Sequence, residues 1–192
     1  CAIDLPAGPS EVMVLADVAA DPALVASDLL SQAEHDPLAQ VVLLCQTSAV
    51  CDSVMTEIEV QLRALPRSEI ARKSLLNARA ILYDDTAQAV EIINTYAPEH
   101  LVIQTVDAEG VSRKIRNAGS IFVGKWAPES AGDYAAGPNH TLPTGGAARA
   151  CSGLGVEAFQ KTTTVLTSTS AGAVGMAPTV ERLAKMEGLD AH

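Results

Sequence analysis

The chain has 192 residues, of which 48% are hydrophobic and only 3% aromatic, and it carries 23 acidic against 13 basic side chains for a net charge of −10. That length supports one sizeable core built from Ala, Val, Leu and Ile. The acidic field would repel a phosphate backbone, and too few aromatics are present for a base-stacking platform, so no nucleic-acid partner is expected. No apolar stretch reaches the roughly 18–20 residues of a membrane span, and no signal peptide is read at the start. Cys1, Cys45, Cys51 and Cys151 include no C-x2-C pair, which fits reduced, mostly buried thiols in a cytoplasmic protein.

In chain order, the apolar run Glu11–Ala16 reads as a buried strand. Asp21-Pro22 supplies an N-cap and a first-turn proline for a helix to about His35. A second strand follows at Gln40–Cys45, then a helix capped by Thr47 or Ser48 with Val50, Val54, Ile58 and Leu62 on one face. Pro66 breaks that helix, and another runs to about Asn77. The alternation continues with a strand at 80–83, a helix at 86–95, a strand at 101–104, a helix at 107–117 and a strand at 120–123. Apolar strands alternating with amphipathic helices predict a doubly wound α/β fold, a mostly parallel, incomplete Rossmann-like sheet with helices on both faces. From Gly124 to Gly155 the composition turns to Gly, Pro, Ser, Thr and Asn, the mark of a long functional loop. The last part reads as a strand at 162–168 and a short helical tail with Pro178 in its first turn. Two parts are expected: an α/β domain over 1–152 that holds most of the site, and an extension over 153–192, too short for its own core, that docks on a partner subunit.

All four histidines, His35, His100, His140 and His192, lie in polar contexts with a carboxylate or carboxamide close by, which points to a metal or proton-transfer site. Gln32 and His35, three residues apart near a helix end, project from one face. With Asp133, His140 and His192 they offer a set of nitrogen and oxygen ligands without thiolate, suited to Zn2+ or Mn2+. In Pro98-Glu99-His100, adjacent Glu and His provide two bases of different pKa, one for activating water and one for proton transfer. Ligands of open α/β sheets bind at the C-terminal ends of the strands. Glu99 and His100 precede their strand, so the reading requires either an antiparallel strand or a site at the unusual edge. No G-x-G-x-x-G, Walker A or G-x-S-x-G sequence occurs.

Five ordered segments carry a resemblance. They are Ile3–Glu11, Asp28–His35, Ala97–Leu101, Gly132-Asp133-Tyr134 through Asn139–Thr144, and Glu187–His192. Together they closely resemble the histidinol dehydrogenases, and specifically the C-terminal portion of that family's polypeptide. The resemblance implies oxidation of L-histidinol to L-histidine, the last steps of histidine biosynthesis, in two NAD+-dependent steps through histidinal. It implies Gln32, His35, Asp133 and His192 as zinc ligands, with Mn2+ a possible substitute. It also implies that zinc holds the substrate's amino and imidazole nitrogens, so that the ligands double as substrate-binding residues. Ser10, His100 and Glu187 would contact substrate. His100 would be the general base for the hydroxyl proton, Glu99 would activate the water that attacks the aldehyde, and His140 would have a supporting role. The family is a homodimer whose tail reaches the partner's site, which would place Glu187 and His192 in the other subunit's pocket. The NAD contacts would lie upstream, so no cofactor-binding residue is named and this piece alone is expected to be inactive. The alternative is a metal-binding, catalytically incomplete domain that serves only as an assembly module.

Overall fold

The computed structural model describes residues 8–189 and residue 191. They form two compact units that divide between Ala158 and Phe159, six residues beyond the expected boundary. In the first unit, β1 (Glu11–Ala16), β2 (Gln40–Cys45), β3 (Arg79–Leu82), β4 (His100–Gln104) and β5 (Ser120–Val123) form one sheet in the order β3-β2-β1-β4-β5, and every pairing is parallel. This is the doubly wound order without its sixth strand.

The period of two along each strand splits the core into two layers. Val12, Val14, Ala16, Val41, Leu43 and Val102 pack on one face with α1 (Pro22–Ala33), α2 (Ser48–Leu62) and α3 (Ser68–Leu75). Met13, Leu15, Val42, Leu44, Leu101 and Ile103 pack on the other with α4 (Thr86–Tyr96) and α5 (Ala108–Ser112). Side-chain caps start the helices: Asp21 accepts from Ala23 N and Thr47 from Val50 N, as the sequence suggests, and Asp85 accepts from Gln88 N.

Four elements differ from expectation. Helix α5 stops at Ser112, not Asn117. Asn94 explains this, because its Oδ1 accepts from the backbone N–H of Arg116 (2.7 Å) and Asn117 (3.1 Å) and draws the chain off the helical path. The polar stretch 124–155 is not all loop; it contains α6 (Glu129–Tyr134), entered through Pro128, and a 3-10 turn at Ala147–Arg149. Residues 162–168 form no strand; they are exposed throughout, and a strand needs a ladder partner. In the second unit, α7 (Ser170–Glu187) starts eight residues before Pro178, because the Thr169 side chain caps Gly172 N at 3.1 Å. Pro178 therefore lies inside the helix, where the Val174 carbonyl loses its usual partner; Val174 is exposed, and water can take that bond. No residue of α7 is buried.

Leu44 is fully buried one residue before the end of β2. Leu44→Ala should destabilise the protein by about 2–5 kcal/mol through lost burial and the cavity left behind. The check is a lower urea midpoint at unchanged m-value.

Candidate active site

Strand β4 aligns His100, Val102 and Gln104 on the face covered by α1 and α6. The row begins and ends with a polar side chain, and both are buried. Because β4 is parallel to both neighbours, His100 stands at the N-terminal edge of the sheet. Of the two arrangements the sequence permits, the site at the unusual edge is the one adopted.

The turn before β4 is tightly held. Ala97 ends α4 in the left-handed region at φ 57°, with its N–H on the Ile93 carbonyl at 2.8 Å. A non-glycine residue in that region is uncommon and is kept only where its surroundings enforce it. Gly119 N–H donates to the Pro98 carbonyl and Ser120 N–H to that of Glu99. A Cβ on Gly119 would stand 2.5 Å from the Glu99 carbonyl oxygen, so glycine is what permits this approach.

Glu99 and Glu11 brace each other. Glu11 N–H donates to Glu99 Oε2 (2.8 Å), and Glu99 N–H donates to Glu11 Oε2 (3.4 Å). Glu11 Oε1 also accepts from Gly145 N–H at 2.7 Å. Burial pushes both carboxyls above their ordinary range, against the lowering effect of these N–H donors. His100 Nδ1 lies 3.0 Å from the Glu11 carbonyl oxygen. A carbonyl only accepts, so Nδ1 carries a proton, and Nε2 is the ring nitrogen turned to the remaining carboxylates. Nε2 faces Glu129 Oε1 at 3.7 Å and Asp133 Oδ1 at 4.0 Å. The ring stacks on Phe122 at 6.1 Å between centroids. Phe122 in turn packs against Gly132, where a Cβ would come within 2.7 Å of the ring.

A second polar cluster meets the far end of the row. Asp28 on α1 accepts from Glu129 N–H (3.2 Å) and Gln104 Nε2 (3.3 Å). Burial, with Glu129 nearby, pushes its pKa up to about 6. Ser31 Oγ lies 2.7 Å from Glu129 Oε2. The buried Oε1 atoms of Gln32 and Glu129 have no hydrogen-bond partner.

The expected site residues are partly gathered. Glu99, His100 and Asp133 meet at one point, with Asp133 on α6 and not in a loop. Gln32 is buried near the C-terminal end of α1. His35 is exposed just past that helix, where its carbonyl accepts from Arg67 Nη2 at 3.2 Å. Ser10 is half-buried, and its carbonyl accepts from Gln40 N–H. His140 is exposed. Glu187, in the last turn of α7, is exposed in the second unit. His192 lies outside the described residues.

The structure adds Glu129 to the site. Among the described residues, His100, Glu129 and Asp133 form a group whose donor atoms lie within 4.8 Å of one another and could hold a metal ion. The sequence signal that could have found Glu129 is its four-residue spacing from Asp133, which places both on one face of a helix. That signal is invisible while the segment is read as loop.

This is a Rossmann-like α/β domain with buried carboxylates around one imidazole at the N-terminal edge of its sheet. The histidinol dehydrogenase family model matches residues 1–192, and the chain belongs to that family. It is 54% identical over 191 residues to the histidinol dehydrogenase of Pectobacterium atrosepticum and 53% identical to that of Escherichia coli K12. Each match covers the whole of this chain but only 43% and 44% of the relative. The crystal structure of histidinol dehydrogenase from Elizabethkingia anophelis superposes with a TM-score of 0.96 at 46% identity, covering 100% of this chain and 44% of that one. The chain thus spans less than half the length of the relatives it matches. Among the described residues, no helix is long and apolar enough to cross a membrane.

The raised pKa of Asp28 has a testable sign. A carboxyl that is harder to ionise when folded adds most stability below its unfolded value of 3.8 and loses it as pH rises through about 6. That shift corresponds to something on the order of 3 kcal/mol. Asp28→Asn should therefore gain stability relative to the parent between pH 4 and pH 7. Parallel denaturation curves at the two pH values test this.

Proposed function

We propose that the protein to which this chain belongs oxidises L-histidinol to L-histidine in two steps through histidinal. The observation that carries the proposal is the state of His100. Its Nδ1 proton is fixed on the Glu11 carbonyl, so Nε2 is free to take a proton beside two carboxylates. In the first oxidation His100 Nε2 takes the alcohol proton as hydride departs. NAD+ would accept the hydride in both steps, and no residue of this chain is assigned to it. In the second oxidation Glu99 takes a proton from the water that attacks the aldehyde carbon. Burial suits it to this, because a carboxylate with a raised pKa is a stronger base. Glu11 holds one Glu99 oxygen by its backbone N–H, which leaves the other for water.

Gln32, His35, Asp133 and His192 are the residues that would hold zinc, or manganese in its place. The donor set fits a hard-to-borderline cation. The buried, unpartnered Oε1 of Gln32 is a group that gains a partner when a metal binds. The acidic surroundings also fit: among the described residues, Glu99, Glu129 and Asp133 lie within 4.0 Å of no Lys, Arg or His nitrogen except those of His100. Zinc would supply a positive centre that grips the amino and imidazole nitrogens of histidinol. Ser10, His100, Glu187 and His192 contact the substrate in this reading. Glu187 and His192 belong to a tail exchanged within a homodimer. The support for that exchange is α7, whose Met176, Val180 and Leu183 recur at helical spacing and are all exposed.

In the intact protein, His100→Gln should slow hydride transfer from histidinol by roughly 10²–10⁴, the usual range for a general base. A near-parental single-turnover rate would refute the role. For the tail, mixing a His100 variant with a His192 variant should restore one sound site per heterodimer. Failure to recover activity in demonstrated heterodimers would place each site within one chain.

A further inference from the structure

Helix α6 has six residues, too few to hold its own shape in water, yet it carries Asp133. What holds it is one turn of α1. Asp28 and Ser31 project from the same side of α1, and both grip the first residue of α6. Asp28 Oδ1 takes the Glu129 N–H at 3.2 Å, and Ser31 Oγ meets Glu129 Oε2 at 2.7 Å. Four residues beyond Asp28 comes Gln32, and four residues beyond Glu129 comes Asp133. In a helix an interval of four returns to the same face. The two proposed metal donors therefore each stand one turn beyond a shared anchoring point. Glu129 is 1% exposed, so no water competes for the anchor.

The structure assigns to Glu129, clamped by Ser31, the task of setting the separation between Gln32 and Asp133 and so the affinity of the metal site. Glu129 is a positioning residue: it acts through the spacing of two helices. The inference rests on the proposed zinc site. It adds that affinity for the ion is controlled from α1 by a hydroxyl that does not touch it.

The test is zinc affinity of the intact protein, measured by competition with a chromophoric chelator, with the thermal midpoint followed in parallel. Ser31→Ala should weaken zinc binding about 10–100-fold, the usual cost of losing a group that orients a ligand. Its thermal midpoint should fall by only several degrees, because the Glu129 carboxylate loses a buried partner while alanine favours the helix. Glu129→Ala should weaken binding at least as much. The double variant should be no weaker than Glu129→Ala alone, since both changes remove one bond. Ser31→Thr, which returns the hydroxyl, should recover most of the affinity. Parental affinity in Ser31→Ala overturns the clamp, even if Glu129→Ala abolishes binding, because Glu129 would then act as a ligand. Additive losses in the double variant overturn it too. If Glu129→Ala does not fold, Ser31→Ala and Ser31→Thr decide the question. A parent protein that binds no zinc defeats the underlying metal reading, a result distinct from parental affinity in the variants.

Discussion

Glu11 uses every polar group it has to build the site. Its N–H holds Glu99, its carbonyl holds His100 Nδ1, and its carboxylate holds the backbone of Glu99 and Gly145. The residue is 2% exposed, so none of these bonds is exchanged for water. Leaving a buried partner unsatisfied costs about 1–3 kcal/mol per group, more when it is charged. The parallel register of β1 and β4 pairs Val12 with His100, and this is what brings Glu11 level with Glu99. A slip of one residue would turn His100 to the opposite face of the sheet. Register, the His100 Nδ1 contact and the positions of the two proposed bases thus follow from a single strand pairing.

Around that pairing the protein buries more negative charge than it neutralises internally. Desolvation raises Glu11, Asp28 and Glu99, and each is opposed by N–H donors and not by a lysine or arginine. Such a cluster costs stability, and the cost is least where a cation can enter. The same groups explain why α6 can stand so close to α1. Hydrogen bonds from backbone and hydroxyl take the place of an apolar seam, and Gly132 lets the helix settle on Phe122.

The sheet was legible because its signals are local. Buried parallel strands read as short apolar runs, and Asp21 and Thr47 are helix caps with a mechanism. Helix α6 was not legible: Glu129–Tyr134 is short, rich in small residues and entered through Pro128, and its stability comes from α1, about a hundred residues away. Asn94 shortens α5 by an equally non-local bond. Pro178 misled for a related reason, since a helix cap at Thr169 outweighs one missing N–H in solvent. Glu99, His100 and Asp133 were candidates first from their residue chemistry and polar contexts, and the family motifs then gave each a role. Glu11, Asp28, Ser31 and Glu129 went unassigned because their roles appear only when the strands and helices are placed together.

The edge of the sheet that carries the site follows from what fills the other edge. Open sheets of this order bind dinucleotides where the strand order reverses, at the C-terminal ends of the two central strands. Here that crevice, between β1 and β4, is crossed by Asp17. Its carboxylate accepts from Ala19 N–H and Val106 N–H, both at 2.8 Å, and its own N–H donates to the Gln104 carbonyl. The start of α1, where a pyrophosphate would lie, is occupied by the Asp21 carboxylate on Ala23 N–H. A dinucleotide would have to displace two acidic caps and meet their charge, with no glycine turn to admit it. The Rossmann-like strand order is therefore put to a different use. Helix α1 runs back toward the opposite edge and carries the buried Gln32 near its end. The fold that elsewhere cradles a nucleotide serves in this chain to fix a buried imidazole among carboxylates.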